Sequence, residues 1–327
     1  MRESTPEPPS VRARSRFRSR WRSRRWWLSE KTEPRPAPQR SRLILAGSAA
    51  YLVLIFGVML WRGISIEPEW VVLALLLIAI ALGRGRSFII DWLPFLILFL
   101  AYEEMRGFAA KTGFAPYDLS GMERFVFGGT IPTLVLQHAF YHPGVVSPQD
   151  VIAMFFYFMH FPLPIVVGFV FWVNHREHFR RFVAALLLMC LLAFATYLFF
   201  PSAPPWYQFP GQVVKINNQT VSALWDGQYF VSEIYNSFNP NRFAAFPSLH
   251  AAFPALAAAY AWTRYRALAI GLILWSLAVL LSIVYLGEHY VVDALDGYVY
   301  VAVAMAIVEL VARWRARRAA TPATPSA

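Results

Sequence analysis

Charge and cysteine are what this chain has least of. One cysteine in 327 residues, Cys190, lies inside an apolar run. It excludes an intramolecular disulfide, leaves the redox compartment unread and fits a small buried hydrophobe. Charged residues are 15% of the chain against 57% hydrophobic, and the mean hydropathy is +0.44. That composition excludes a soluble domain and points to a polytopic membrane protein. No internal repeat is present. The N-terminal arginines carry no apolar stretch and cleavage site of their own, so no signal peptide is expected. His138 and His142 stand four apart, but no Cys or Glu completes a zinc set, so no metal and no organic cofactor is expected.

The charge that is present sits at the ends. Residues 1–42 hold twelve Arg and one Lys against four Glu, a net of +9, and Arg313, Arg315, Arg317 and Arg318 add +4. Of the +11 overall, the rest of the chain therefore carries −2. Arg-rich segments can bind nucleic acid. Tails this close to apolar runs are better read as setting topology and touching anionic lipid, with no nucleic-acid partner. The Arg-Ser stretch from Arg12 to Arg25, followed by Pro34, Pro36 and Pro38, predicts disorder over 1–42.

Against a span length of about 20 residues, apolar runs fall at Leu43–Trp61, Trp70–Leu82, Phe88–Tyr102, Val151–Val173, Phe182–Phe200, Phe246–Trp262, Leu268–Leu286 and Tyr290–Val311. The fold class is therefore an all-α integral membrane bundle of about eight spans. Its parts are a basic tail (1–42), N-terminal helices (43–102), an outer interfacial segment (103–150), a transmembrane core (151–312) and a second basic tail (313–327). The second and third runs are short, and Asp91 interrupts the third, so a hairpin around Arg84-Gly85-Arg86 is an alternative for them. Alternate connections are Arg-rich: the N-tail, Arg84/Arg86, His175–Arg181, Thr263–Arg266 and the C-tail. The positive-inside bias places these, with both termini, in the cytoplasm. Residues 103–150 and 201–245 then lie outside. The first suits short amphipathic helices in the interface. The second opens on Pro201-Ser202-Ala203-Pro204-Pro205-Trp206-Tyr207, which stops a helix at the headgroup layer. Asn218-Gln219-Thr220 fits a glycosylation acceptor, a triplet common by chance.

Two short motifs carry chemistry. Phe246-Pro247-Ser248-Leu249-His250 and Gly287-Glu288-His289-Tyr290-Val291-Val292-Asp293 each sit at the outer edge of an apolar run. His289 and Asp293 are four apart, which on a helix puts both on one face and lets the carboxylate hold the imidazole. A histidine so held can be a nucleophile, and a second can protonate a leaving group. Amides at the start of the sixth span, with Ser248, can donate to an anionic group. Asp296, seven residues beyond His289, and His160 are further polar groups at membrane depth, able to support a site or to pair within the bundle. His160 with Tyr157 is read as structural, and His175 and His178 as solvated among arginines.

Ala245–His250 followed by His289–Asp293, with Pro204-Pro205-Trp206 and Ile131-Pro132-Thr133-Leu134-Val135-Leu136-Gln137, resembles the type-2 phosphatidic acid phosphatase superfamily over roughly 120–300. The nearest likeness is its transferase-like branch, which includes fungal inositol phosphorylceramide synthase and related bacterial membrane proteins. The resemblance implies a six-helix catalytic core and a phosphohistidine mechanism. His289 would attack a lipid phosphoester, Asp293 would hold it, and His250 would serve as acid and then base. It also implies a lipid substrate taken from the bilayer, such as a phospholipid or polyprenyl phosphate. The phospho group would pass to water or to a small alcohol such as inositol, and the expected location is a bacterial plasma membrane.

The departures are as informative. The superfamily's Ser-Arg pair is here Ser282-Ile283, its Lys and Arg-Pro motif has no match before His250, and Leu249 replaces a Gly. The cationic clamp must be rebuilt, with Arg242 the first candidate and Lys215 and Arg124 behind it. Trp206 and Tyr285 complete the expected substrate-binding set. A transporter, with Asp91, His160 and Asp296 as a proton or substrate path, is the rival reading.

Overall fold

A chain this apolar can satisfy its backbone in a bilayer only through helices or a closed barrel. The computed structural model is helical, with no strand element among the described residues. These are residues 68–109, 113–224 and 241–319, with the isolated positions 47, 50, 53, 54 and 57. All belong to the unit Ile44–Ala327. The basic N-tail, most of the first expected span and residues 225–240 lie outside the described residues, as do residues 320–327.

The helices are α1 (Pro68–Ala81), α2 (Gly85–Ala109), α3 (Ser120–Val126), α4 (Pro132–Phe140), α5 (Pro148–Phe158), α6 (Pro162–Asn174), α7 (Arg176–Phe199), α8 (Pro205–Gln208), α9 (Ile216–Leu224), α10 (Leu249–Ala261), α11 (Arg266–Tyr285) and α12 (Val291–Ala319). Among the described residues three helices are long and apolar enough to cross a membrane: Arg176–Phe199, Arg266–Tyr285 and Val291–Arg318. A fourth span appears if α5 and α6 are counted together. The run Val151–Val173, expected as one straight span, is bent by 51° between them. Pro162 explains the break, because it has no N–H for the helical ladder and its ring crowds the preceding turn.

The run Phe246–Trp262 also differs from its expected form. Its helix, α10, begins only at Leu249. Thirteen residues rise about 20 Å, short of a ~30 Å hydrocarbon core. At the other end of the sequence α12 continues through Arg313–Arg318, past the expected start of the basic tail.

The arginine-rich connections meet at one end of the bundle. Arg84 donates to the Val173 carbonyl at 2.8 Å and lies over the Trp172 ring at 4.4 Å. Asp91, read from sequence as an isolated acid within a span, accepts from Trp172 Nε1 and Arg176 Nε, both at 2.7 Å. Arg180 adds a second cation at 3.7 Å. A charge drawn into an apolar bundle costs far less when paired and hydrogen-bonded in this way. Tyr265 stacks on Phe171, bringing the α10–α11 connection to the same end.

From there α7 runs 24 residues, a rise of about 36 Å. It delivers the chain to the opposite end at Pro201. There three extended segments lie side by side. Tyr117 N–H donates to the Pro201 carbonyl at 2.8 Å, Ala203 N–H to Tyr117 at 2.9 Å, and Ser202 N–H to Phe243 at 2.8 Å. The middle segment leads into Pro204-Pro205-Trp206, and the third into Pro247-Ser248-Leu249-His250. This short ladder is what sets the two motifs beside each other.

Candidate functional site

The site is assembled where α10 and α12 begin. His289 does not share a helical face with Asp293 as the spacing predicted, because α12 starts at Val291 and His289 precedes it. The pair meets through the helix start instead. Asp293 Oδ2 accepts from Tyr290 N–H at 2.9 Å and lies 3.3 Å from His289 Nδ1. A carboxylate can only accept, so Nδ1 of His289 carries the proton and Nε2 keeps its lone pair. That lone pair faces His250 Nδ1 at 3.1 Å, which makes His250 the donor. Asp293, His289 and His250 thus form one chain. Asp293 is fully buried, and its Oδ1 has no hydrogen-bond partner among the described residues.

Close approach of the two helices brings the histidines together. Ser248 N–H donates to the Asp293 carbonyl at 2.9 Å. One turn further on, a Cβ on Gly297 would lie 2.5 Å from the Ser248 carbonyl oxygen. No residue larger than glycine fits there without moving α12 away from α10. Gly287 serves the other flank. Its φ is +78°, and a Cβ there would lie 2.8 Å from the Val214 carbonyl oxygen. This left-handed glycine turns the chain out of α11 and directly into Glu288 and His289.

His250 is packed on two sides. Tyr157 stacks on it with ring centroids 4.5 Å apart, and His160 approaches to 3.9 Å. His160 Nδ1 is 2.5 Å from the Tyr157 carbonyl, so it donates there. The break between α5 and α6 places His160 at this point. The residue read as structural therefore touches the His250 ring directly.

Of the expected substrate-binding residues, Ser248 is fully buried with its Oγ unpartnered among the described residues. Lys215 lies 3.8 Å from Glu288, the neighbour of His289, and over the Trp206 ring at 5.1 Å. Asn217 also donates to Glu288, at 3.2 Å. Trp206 N–H is bonded to the Gly287 carbonyl at 3.1 Å. These residues form the flank of His289. Arg242 does not join them: its side chain is exposed, and no hydrogen bond or ion pair ties it to the histidines among the described residues. Arg124 donates to the Gly129 carbonyl at 2.9 Å. Tyr285 directs its hydroxyl to Asp150 at 2.5 Å, which ties α11 to the start of α5. Of the three cationic candidates, Lys215 is the one paired with the neighbour of His289. Asp296 Oδ2 is buried and unpartnered among the described residues. His138, His142 and the other acids form no group able to hold a metal there.

Three contributors lie outside the expected site residues. Gln137 donates to the Val214 and Tyr285 carbonyls, both at 2.8 Å, and accepts from Val214 N–H at 2.8 Å. It thereby staples α4 to the segment before α9 and to the end of α11. Asp150 closes a capping box with Ser147 while holding Tyr285. Glu123 of α3 accepts from Val291 N–H at 3.0 Å and Val292 N–H at 3.1 Å, capping the helix that holds Asp293. Burial raises the Glu123 carboxyl above its ordinary range; the two amides pull it back, and nearby Asp293 pushes it up. The only sequence signal for Glu123 is an acid within a segment poor in charge.

At one end of this apolar helical bundle two histidines and an aspartate are joined. Comparison with known proteins gives the family: the PAP2 superfamily model matches residues 119–307. The chain belongs to that superfamily. It is 30% identical over 228 residues to the phosphoinositol dihydroceramide synthase of Bacteroides thetaiotaomicron. That alignment covers 63% of this chain and 71% of the relative. No solved structure matches.

Proposed function

We propose that this protein transfers a phospho-headgroup between lipid alcohols through a phosphohistidine on His289. The Asp293–His289–His250 chain carries the reading. Asp293 holds the Nδ1 proton of His289 and stabilises the charge that develops on attack. Nε2 then forms a bond to phosphorus as the bond from phosphorus to the departing alkoxide breaks. His250 supplies the proton to that alkoxide. In the second half His250 removes a proton from the acceptor hydroxyl, the new oxygen–phosphorus bond forms, and the nitrogen–phosphorus bond breaks. A reacting atom sits about 3–3.5 Å from its nucleophile. His289 Nε2 gives up its 3.1 Å contact with His250 when it bonds to phosphorus, since its single lone pair serves one partner at a time.

Ser248 Oγ and Lys215 receive the phosphoryl oxygens. Positive-inside topology sets this site at the outer face, with the arginine cluster around Asp91 in the cytoplasm. The name of the bacterial relative supports a phosphoinositol group as headgroup and a dihydroceramide as lipid alcohol. Against the rival transport reading, Asp91 is paired with Arg176 and Arg180 at the end of α7 away from the histidines.

The test uses purified protein in mixed micelles with dihydroceramide and phosphatidylinositol radiolabelled in its headgroup. Labelled phosphoinositol dihydroceramide, abolished in His289→Ala and His250→Ala, is the expected result. Equal product from wild type and both variants refutes the catalytic assignment. Release of water-soluble phosphate or phosphoinositol without product would make the protein a hydrolase.

A further inference from the structure

We propose that Glu123 is a positioning residue for the reaction at His289, holding the first turn of α12 from a helix whose other face is seated in lipid. The inference rests on the phosphohistidine reading for its consequence, though its geometry stands apart from it. Glu123 is 0% exposed, yet its neighbours on α3 are not: Phe125 is 88% exposed, with Met122 and Val126 half exposed. A seven-residue helix that buries its carboxylate and exposes its apolar side is inverted for water and correct for a membrane surface.

The carboxylate reaches two amides in the first turn of α12, at Val291 and Val292, one oxygen to each. A helix start has free N–H groups and a partial positive charge, so a carboxylate there fixes both position and direction. His289 and Tyr290 immediately precede those amides, and Asp293 immediately follows them. A shift of this turn therefore moves nucleophile and partner together relative to His250, which is held on α10. The clamp also spans the fold: beside the packing of Leu119 and Ile131 with Tyr290 and Val292, it joins the outer segment to the last helix, so lipid seating of α3 reaches His289 through a directional polar contact. Without a carboxylate the turn would keep its helix but lose its register against α10.

The experiment compares Glu123→Gln, Glu123→Asp and Glu123→Ala with wild type in full-length protein, using phosphatidylinositol and a fluorescent dihydroceramide in mixed micelles at one fixed pH. Gln preserves volume but offers one acceptor where two are used. The expected result is a fall in kcat on the order of 10–100-fold with KM within about twofold. Partial recovery is expected in Asp, which keeps both acceptors on a shorter arm. A Gln variant that is folded, with wild-type kcat, overturns the proposal; so does a loss carried by KM alone. Should Ala fail to fold, Gln and Asp decide. If wild type turns over neither lipid, the transfer reading fails by itself. The positioning role is then decided by amide exchange at Val291 and Val292 and by the rate at which diethyl pyrocarbonate modifies His289. Faster rates in Gln support it, and unchanged rates overturn it.

Discussion

Gly297→Ala is the substitution on which the geometry makes its sharpest demand. The added methyl would lie 2.5 Å from the Ser248 carbonyl oxygen, 3.4 Å from its carbon and 3.5 Å from Ala252 Cβ. Ordinary contact begins near 3.4 Å, so α12 must retreat from the start of α10 by about 0.9 Å. The neighbour is backbone, which cannot rotate away. Two bonds cross this seam: Ser248 N–H to the Asp293 carbonyl at 2.9 Å and His250 Nδ1 to His289 Nε2 at 3.1 Å. Lengthened by that amount, both pass beyond hydrogen-bond range. Stability is nearly balanced, because overpacking costs about 1–3 kcal/mol while Gly→Ala inside a helix returns about 1 kcal/mol. Catalysis has no such compensation, since a misplacement of about 1 Å costs on the order of 100-fold. The expected outcome is a melting temperature within a few degrees of wild type and a kcat roughly 100-fold lower in the micelle assay. Gly271→Ala is the control: it lies in α11 with nothing within 4 Å of its Cβ, and should raise the melting temperature and leave kcat unchanged. Wild-type turnover in Gly297→Ala would refute the claim that this contact sets the distance between the histidines.

Asp293→Asn keeps the shape of the carboxylate but lets the amide donate, so His289 loses its fixed tautomer; kcat should fall on the order of 10³–10⁴-fold, with KM changing about twofold at most. Lys215→Met retains the stem over Trp206 and removes the cation beside Glu288. KM for the anionic lipid should rise about fivefold to tenfold in steady-state kinetics, an unchanged KM arguing that phosphate is held elsewhere. For Glu123 the sign follows from burial, which raises its carboxyl in the folded protein. The folded state then binds this proton more tightly than the unfolded one. The resulting stability is complete below the ordinary glutamate range and lost as pH rises through the raised value. Denaturation midpoints for wild type relative to Glu123→Gln should therefore decline on going from about pH 4 to pH 7, and a rising difference would reverse the assignment.

Much of the site was legible because its chemistry is local. Asp293 lies four residues from His289, close enough for contact under nearly any local conformation, even though the helix begins between them rather than before them. Pro162 was visible as well, but its effect was missed: hydropathy over Val151–Val173 counts apolar residues and does not register a lost N–H. The placement of the cations was hidden for a related reason. Arg242 was favoured for its nearness to His250 in sequence, whereas Lys215 reaches the flank of His289 through a turn that Gly287 and Gln137 fold across the end of α11.

What the sequence determined by itself is the class of molecule and its candidate reacting groups. Apolar runs require helices in lipid, alternating arginines pattern the connections, and the two histidine motifs mark His289, Asp293 and His250 as candidates. Only the tertiary structure decided how those groups are held. Glu123 caps a helix 168 residues away in sequence, and Tyr285 meets Asp150 across 135. Such pairs leave no periodicity or spacing to read, because their proximity is created by packing of the whole bundle. Periodicity reports which face is buried, and glycine at 297 looks like any small residue until α10 is laid against it.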